Sequence, residues 1–142
     1  MTRRYLIDTN HMSAAVRPMS PFHQRLRTAH RSGSVFGTCL PVLGELETGF
    51  QKTADPERNR RMLRSIRKQV RLWPLDEPIA RLFGEIFNDL RQRGRALSQI
   101  DILIAALCRH MNLILLTSDR DFEALPDLHT ENWLIAPPAA SP

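Results

Sequence analysis

Short uninterrupted apolar runs alternate along this chain with longer stretches in which apolar positions return every three or four residues. The first run, Tyr5-Leu6-Ile7, predicts a buried strand over 3–7. Asn10 or Thr9 can cap a helix beginning near His11, and a second helix is predicted from Pro21 to Arg31. The turn residues Ser32, Gly33 and Ser34 lead into a second short strand that stops at Pro41, a residue suited to the first turn of a helix through "VLGELETGF". Asp55 as N-cap, Pro56 at the first helical position and Glu57 in the first turn open another helix. Its apolar stripe is Met62, Leu63, Ile66 and Val70, and "RLWPL" follows as a third strand broken by Pro74. "EPIARLFGEIFNDLRQRG" is amphipathic, with Ile79, Leu82, Phe83, Ile86, Phe87 and Leu90 facing inward and Gly94 at its end. "SQIDILIAALCRHMN" is nearly all apolar and predicts a central, buried helix. "LILLT" is a strand, "SDRDFEAL" starts a short helix, and "LHTENWL" supplies a last strand.

Short apolar strands alternating with helices imply an α/β fold, a parallel sheet covered on both faces. Ligands of such sheets bind beyond the carboxyl ends of the strands, where strand order reverses. Asp8 and Asp119 both stand there, directly after "YLI" and "LILLT". The 142 residues make one domain over 1–135, without repeats, and "APPAASP" at 136–142 is expected to be disordered.

Net charge of +5 favours a polyanionic partner, nucleic acid first. No apolar run approaches the roughly 20 residues that span a bilayer, and the run before Asp8 is too short for a signal peptide, so a cytoplasmic protein with no membrane partner is expected. Cys39 and Cys108 form no C-x-x-C pair and lie among apolar residues, as reduced buried thiols do.

Four acids stand beside buried-looking segments: Asp8, Glu45, Asp101 and Asp119. Each has an ordinary structural explanation. Asp8 can cap the first helix, periodicity does not separate Glu45 from Glu47, Asp101 follows Ser98 at capping-box spacing, and Asp119 with Asp121 can form a turn. Together they require a counter-ion, because converging carboxylates repel and some would stay protonated at neutral pH. A hard divalent cation, Mg²⁺ or Mn²⁺, suits oxygen ligands. The five histidines show no ligand spacing; His11 and His110 could approach the site but read as structural.

These residues carry a resemblance. Leu6-Ile7-Asp8-Thr9-Asn10, then Glu45-Leu46-Glu47-Thr48-Gly49, Asp101-Ile102-Leu103-Ile104-Ala105-Ala106, and Thr117-Ser118-Asp119-Arg120-Asp121-Phe122 resemble, in order, the four motifs of PIN domains, and more narrowly those of VapC-type toxins of bacterial toxin–antitoxin pairs. The resemblance selects Glu45 over Glu47. It implies a three-layer α/β/α sandwich around a five-stranded parallel sheet, and a Mg²⁺- or Mn²⁺-dependent endoribonuclease. It also implies inhibition by a VapB-type antitoxin and a homodimer. Asp8 and Asp101 would be the main metal ligands, with Glu45 and Asp119 completing the catalytic pocket. Thr9, Asn10, Thr117 and Asp121 would stand at the substrate, with a threonine orienting water or a phosphate oxygen and Asp121 as an auxiliary acid.

Other readings fit less well. A haloacid-dehalogenase-type phosphatase needs a second acid where Asn10 stands and a lysine motif, but the only lysines are Lys52 and Lys68. No G-x-G-x-x-G follows the first strand, against a nucleotide-binding Rossmann domain. A non-catalytic RNA- or antitoxin-binding regulatory module is the main alternative, and the presence of all four acids argues against it. Arg60, Arg61, Arg64, Arg67, Lys68 and Arg71 set positive charge opposite the apolar stripe, as a solvated face, an RNA-tracking surface or an antitoxin seat. Few aromatics interleave with them, so no base-stacking platform is expected.

Overall fold

The structure, a computed structural model, describes residues 2–135. Strands β1 (Arg4–Ile7), β2 (Val35–Thr38), β3 (Val70–Leu72), β4 (Ile114–Leu116) and β5 (Thr130–Glu131) form one sheet in the order β3-β2-β1-β4-β5. Every pairing is parallel. Between β1 and β2 run helices α1 (Thr9–Ala15) and α2 (Pro21–Arg31); between β2 and β3 run α3 (Leu40–Phe50) and α4 (Pro56–Ile66). Helices α5 (Glu77–Gln92) and α6 (Gln99–Met111) return the chain from β3 to β4, and a 3-10 helix (Arg120–Ala124) precedes β5.

Parallel crossovers are right-handed. The steps β1 to β2 to β3 move outward one way, whereas β3 to β4 crosses back the other way. The first four helices therefore cover one face and α5 with α6 the other. This is the α/β/α sandwich expected. Its switch point lies where β1 and β4 are neighbours, and Asp8 and Asp119 follow those two strands.

The strands are buried, with Leu6, Ile7, Leu115 and Leu116 fully enclosed. Helix α6 is buried along Ile102, Ile104, Ala105, Ala106, Leu107 and Cys108, as its apolar sequence predicts. At the sheet edge, the Trp73 indole lies on β2 at Gly37, where an added Cβ would meet its Nε1 at 2.2 Å. That close approach lets Nε1 donate to the Tyr5 carbonyl at 2.9 Å. Beyond β5, Trp133 turns back under the sheet and packs edge-on to Tyr5 and Phe36, with ring centroids 5.1 and 5.8 Å away.

Several expectations need correction. Of the caps the sequence allows for α1, Asp8 is the one used, in place of Thr9 or Asn10, and the helix begins at Thr9, not near His11. Val70 does not continue the stripe of α4; it is the first, buried residue of β3, after a turn at 67–69. Phe87 faces outward, 42% exposed, because α6 covers only one side of α5. The last strand is only Thr130–Glu131, and 136–142 lie outside the described residues.

Candidate active site

The site is built from the ends of elements. The Asp8 backbone N–H continues the β1–β4 ladder by donating to Leu116 O at 3.0 Å, which sets the carboxylate at the carboxyl rim. Its Oδ1 accepts from the Thr9 N–H at 2.8 Å, and its Oδ2 accepts from the buried Thr117 hydroxyl at 2.8 Å. Thr117 Oγ1 also accepts from the Asp119 N–H at 3.0 Å, so one hydroxyl joins the ends of β1 and β4. Asp119 Oδ1 then accepts from the Asp121 N–H at 2.8 Å, capping the 3-10 helix.

Two more acids come from helices on opposite faces of the sheet. Glu45, in the second turn of α3, accepts at Oε1 from the Thr9 hydroxyl at 2.9 Å. Asp101 sits in the first turn of α6, its N–H donating to the Ser98 hydroxyl at 3.1 Å. That capping arrangement, the ordinary explanation for Asp101, exists alongside the clustering and does not compete with it. Asn10 Nδ2 donates to Ser118 Oγ at 3.0 Å, a further tie between α1 and the loop after β4.

The carboxylates of Asp101, Asp119 and Asp121 each bring an oxygen within 4.8 Å of the other two. Asp121, read from sequence as auxiliary, is thus inside the tightest group. Burial pushes the Asp8 carboxyl above the usual carboxylate range, and the charges of Glu45 and Asp119 push it further; its two hydrogen bonds oppose this. Burial likewise raises Asp101 to about 6, with repulsion from Asp119, Asp8 and Glu45 in the same direction. Among the described residues, none of these five acids has an arginine, lysine or histidine within ion-pair distance. Such a rim repels itself until a cation neutralises it.

The histidines stay away. His11 is fully buried, accepts at Nε2 from the Trp133 N–H at 3.0 Å and lies edge-on to Phe22; burial lowers its pKa to about 4. His110 lies 3.8 Å from Asp76. Both cysteines are free and buried, and burial pushes the Cys39 thiol up to about 11. On α4, Arg60 is bound to Glu47 and Glu57 and is not a free cation, whereas Arg71 lies on β3, over the Trp73 ring at 5.5 Å. Sequence reasoning singled out Asn10 but missed Ser118, the residue in the loop after β4 whose hydroxyl accepts from it.

Comparison with known proteins decides the family. The model of the PIN domain matches residues 5–128. The chain belongs to the PIN-domain family. Within it, a 132-residue alignment to Ribonuclease VapC2 of Haemophilus influenzae is 30% identical and covers 92% of this chain and 98% of that one, which places the chain among the VapC proteins. The tRNA(fMet)-specific endonuclease VapC of Shigella flexneri is 28% identical, with 92% of this chain and 98% of that protein covered. The crystal structure of VapBC2 from Rickettsia felis, bound to a DNA fragment from their promoter, superposes with a TM-score of 0.82 at 24% identity, over 92% of this chain and 98% of the other. That likeness concerns the PIN fold, with the sheet and helices described above.

Proposed function

We propose that this PIN-domain protein is the endoribonuclease toxin of a VapBC pair and hydrolyses RNA phosphodiesters at the acidic rim. The observation that carries the reading is the convergence of Asp8, Glu45, Asp101, Asp119 and Asp121, from four separate segments, with no cationic side chain among the described residues paired to them. The donor set is all carboxylate oxygen, which fits Mg²⁺ or Mn²⁺ and not zinc. Asp8, Asp101 and Asp119 would hold the ion, with Glu45 and Asp121 completing the shell directly or through water. When bound, the ion neutralises phosphate charge, lowers the pKa of a coordinated water and stabilises the leaving oxyanion.

The chain's own residues supply position. Thr117 fixes Asp8 and, through the Asp119 N–H, the turn that follows β4. Thr9 holds one oxygen of Glu45 and leaves the other free to accept a proton from the attacking water. The positive net charge retains the polyanion. The inhibitory partner is a VapB-type antitoxin, and the pair works in the cytoplasm; no helix of the described residues is long and apolar enough to cross a membrane.

The test is cleavage of tRNA, rRNA and mRNA by the purified protein with EDTA and with Mg²⁺ or Mn²⁺ restored, alongside Asp8→Asn and Asp101→Asn. Cleavage should need the ion and both aspartates. Cleavage that persists in EDTA, or in both variants, overturns the proposal, and binding without cleavage points to the regulatory-module alternative.

A further inference from the structure

A cleft of about 220 Å³ opens beside the acidic rim, between the loop that follows β4 and the end of β5. One wall is Thr117, Ser118 and Asp119; the other is Thr130, Glu131 and Asn132, and the buried Phe122 also lines it. The Thr117 N–H donates to Glu131 O at 3.0 Å and holds the two walls at strand spacing. Asp119 belongs to both the rim and the cleft, so a substrate whose phosphate lies at the rim has its neighbouring nucleoside within reach of the cleft.

Hydrogen bonds inside the protein decide which polar groups the cleft offers. Asn132 Oδ1 accepts from the Leu134 N–H at 2.9 Å, which uses its carbonyl and leaves the Nδ2 amino group as a donor. Ser118 Oγ accepts from Asn10 Nδ2 at 3.0 Å, so its own proton is uncommitted. Arg120 meets Glu123 through Nε at 3.2 Å, which leaves its Nη groups as donors. The Glu131 carboxylate is engaged at both oxygens: Oε1 accepts from Trp133 Nε1 at 2.9 Å, and Oε2 lies 3.4 Å from His129 and 3.8 Å from Arg3. Three side chains lining one small space thus have donors to spare.

We propose that this cleft takes the nucleobase next to the scissile phosphate and selects guanine, whose N7 and O6 place two acceptors side by side. The proposal rests on the ribonuclease reading. Adenine sets a donor, N6, beside N7 and suits an asparagine that presents both its oxygen and its nitrogen; the bond to Leu134 withdraws that oxygen. Uracil has its two carbonyls on either side of the N3 donor, so no edge offers adjacent acceptors. A second phosphate is the poorer occupant, since Asp119, Glu123 and Glu131 all line the cleft and would repel it. Single-stranded RNA is read in this way, by unstacked bases hydrogen-bonded along an edge. Ser118 and Asn132 are already fixed by bonds within the protein, so little ordering is needed when the base enters.

The test is a random-sequence single-stranded RNA cut by the purified protein with Mg²⁺ and sequenced at the new ends. Wild type is compared with Asn132→Asp, which keeps the acceptor for Leu134 and turns the donor into a second acceptor. The wild type should favour guanine over adenine about tenfold at one position flanking the cut. Asn132→Asp should lose that preference or turn it towards adenine, whereas a merely structural role, or the added charge, would slow cutting of every sequence alike. No guanine preference beside the cut in the wild type, or the same preference in the variant, overturns the proposal. The cleft is read separately from the NMR signal of the Asn132 side-chain amide during titration with guanosine or adenosine in EDTA. A larger shift with guanosine supports the proposal, and equal shifts or none overturn it. If the wild type cuts no RNA while the guanosine shift appears, the ribonuclease reading fails and the cleft stands as a guanine site.

Discussion

Glu45 and Glu47 leave α3 two positions apart, and their carboxylates meet opposite surroundings. Glu47 accepts hydrogen bonds from Arg60, which holds its pKa below the usual range, and that guanidinium reaches Glu57 as well. Glu45 faces the sheet rim, where among the described residues its one hydrogen-bond partner is the Thr9 hydroxyl and its neighbours are more carboxylates. The first group of acids is neutralised within the chain; the second is left for something outside it. Compensation, more than residue type or motif, separates an acid that supports the fold from one that waits for a ligand.

The sharpest way to break this contrast is to remove charge from each group. Asp101→Asn should lower RNA cleavage by about 100-fold or more, the scale of a group acting on the reacting atoms, while the protein stays folded. Glu47→Gln should leave cleavage unchanged. Equal losses in both would erase the distinction.

Divalent cations give the next largest effect. At a hundredfold excess over Kd, Mg²⁺ should stabilise the wild type by about 2.7 kcal/mol in thermal melts, as expected of a ligand for the proposed site, which exists only in the folded protein. Asp101→Asn should show a much smaller gain, and Glu47→Gln the full one. Asp121→Asn should fall between wild type and Asp101→Asn, with cleavage reduced about tenfold if it acts on the outer edge of the ion. Wild-type activity in Asp121→Asn would remove it from the site despite its proximity.

The smallest effect is a pair of opposite pH trends in EDTA-treated protein. The Asp101 pKa is raised to about 6 from 3.8, so its ionisation costs stability that is absent at low pH and develops as pH rises through 4 to 6. Asp101→Asn should therefore be increasingly more stable than wild type across that window. The Glu47 pKa is lowered, so its contribution is present above the ordinary glutamate pKa and lost as pH falls through the depressed value. Glu47→Gln should be slightly less stable at neutral pH and converge with wild type in acid. Parallel trends in the two variants would contradict the assignment.

The rim was legible in sequence because a strand that ends on an acid announces where it points. "YLID" and the "LILLTSD" run located Asp8 and Asp119 before any coordinates, and Ser98 located the start of α6. The convergence of Glu45 with them came only from the motif resemblance, since helical period leaves Glu45 and Glu47 equivalent. Other features were hidden for physical reasons. A three-residue strand is too short to show alternation, so Val70 was absorbed into the period of α4. The amphipathic pattern of α5 could not show how wide a stripe α6 covers, which left Phe87 misplaced. Arg60 read as a free cation because its partner Glu47 lies in another helix.

The central position of β1 has a consequence for synthesis. Its neighbour β4 comes more than a hundred residues later, and Thr117, which fixes Asp8, lies just beyond. At about 5–20 residues per second, a ribosome delivers Asp8 on the order of ten seconds before Thr117. Until Thr117 is made, a nascent chain carries Asp8 without the strand and hydroxyl that orient it. Any activity that depends on an oriented Asp8 can begin only after Thr117 has left the ribosome.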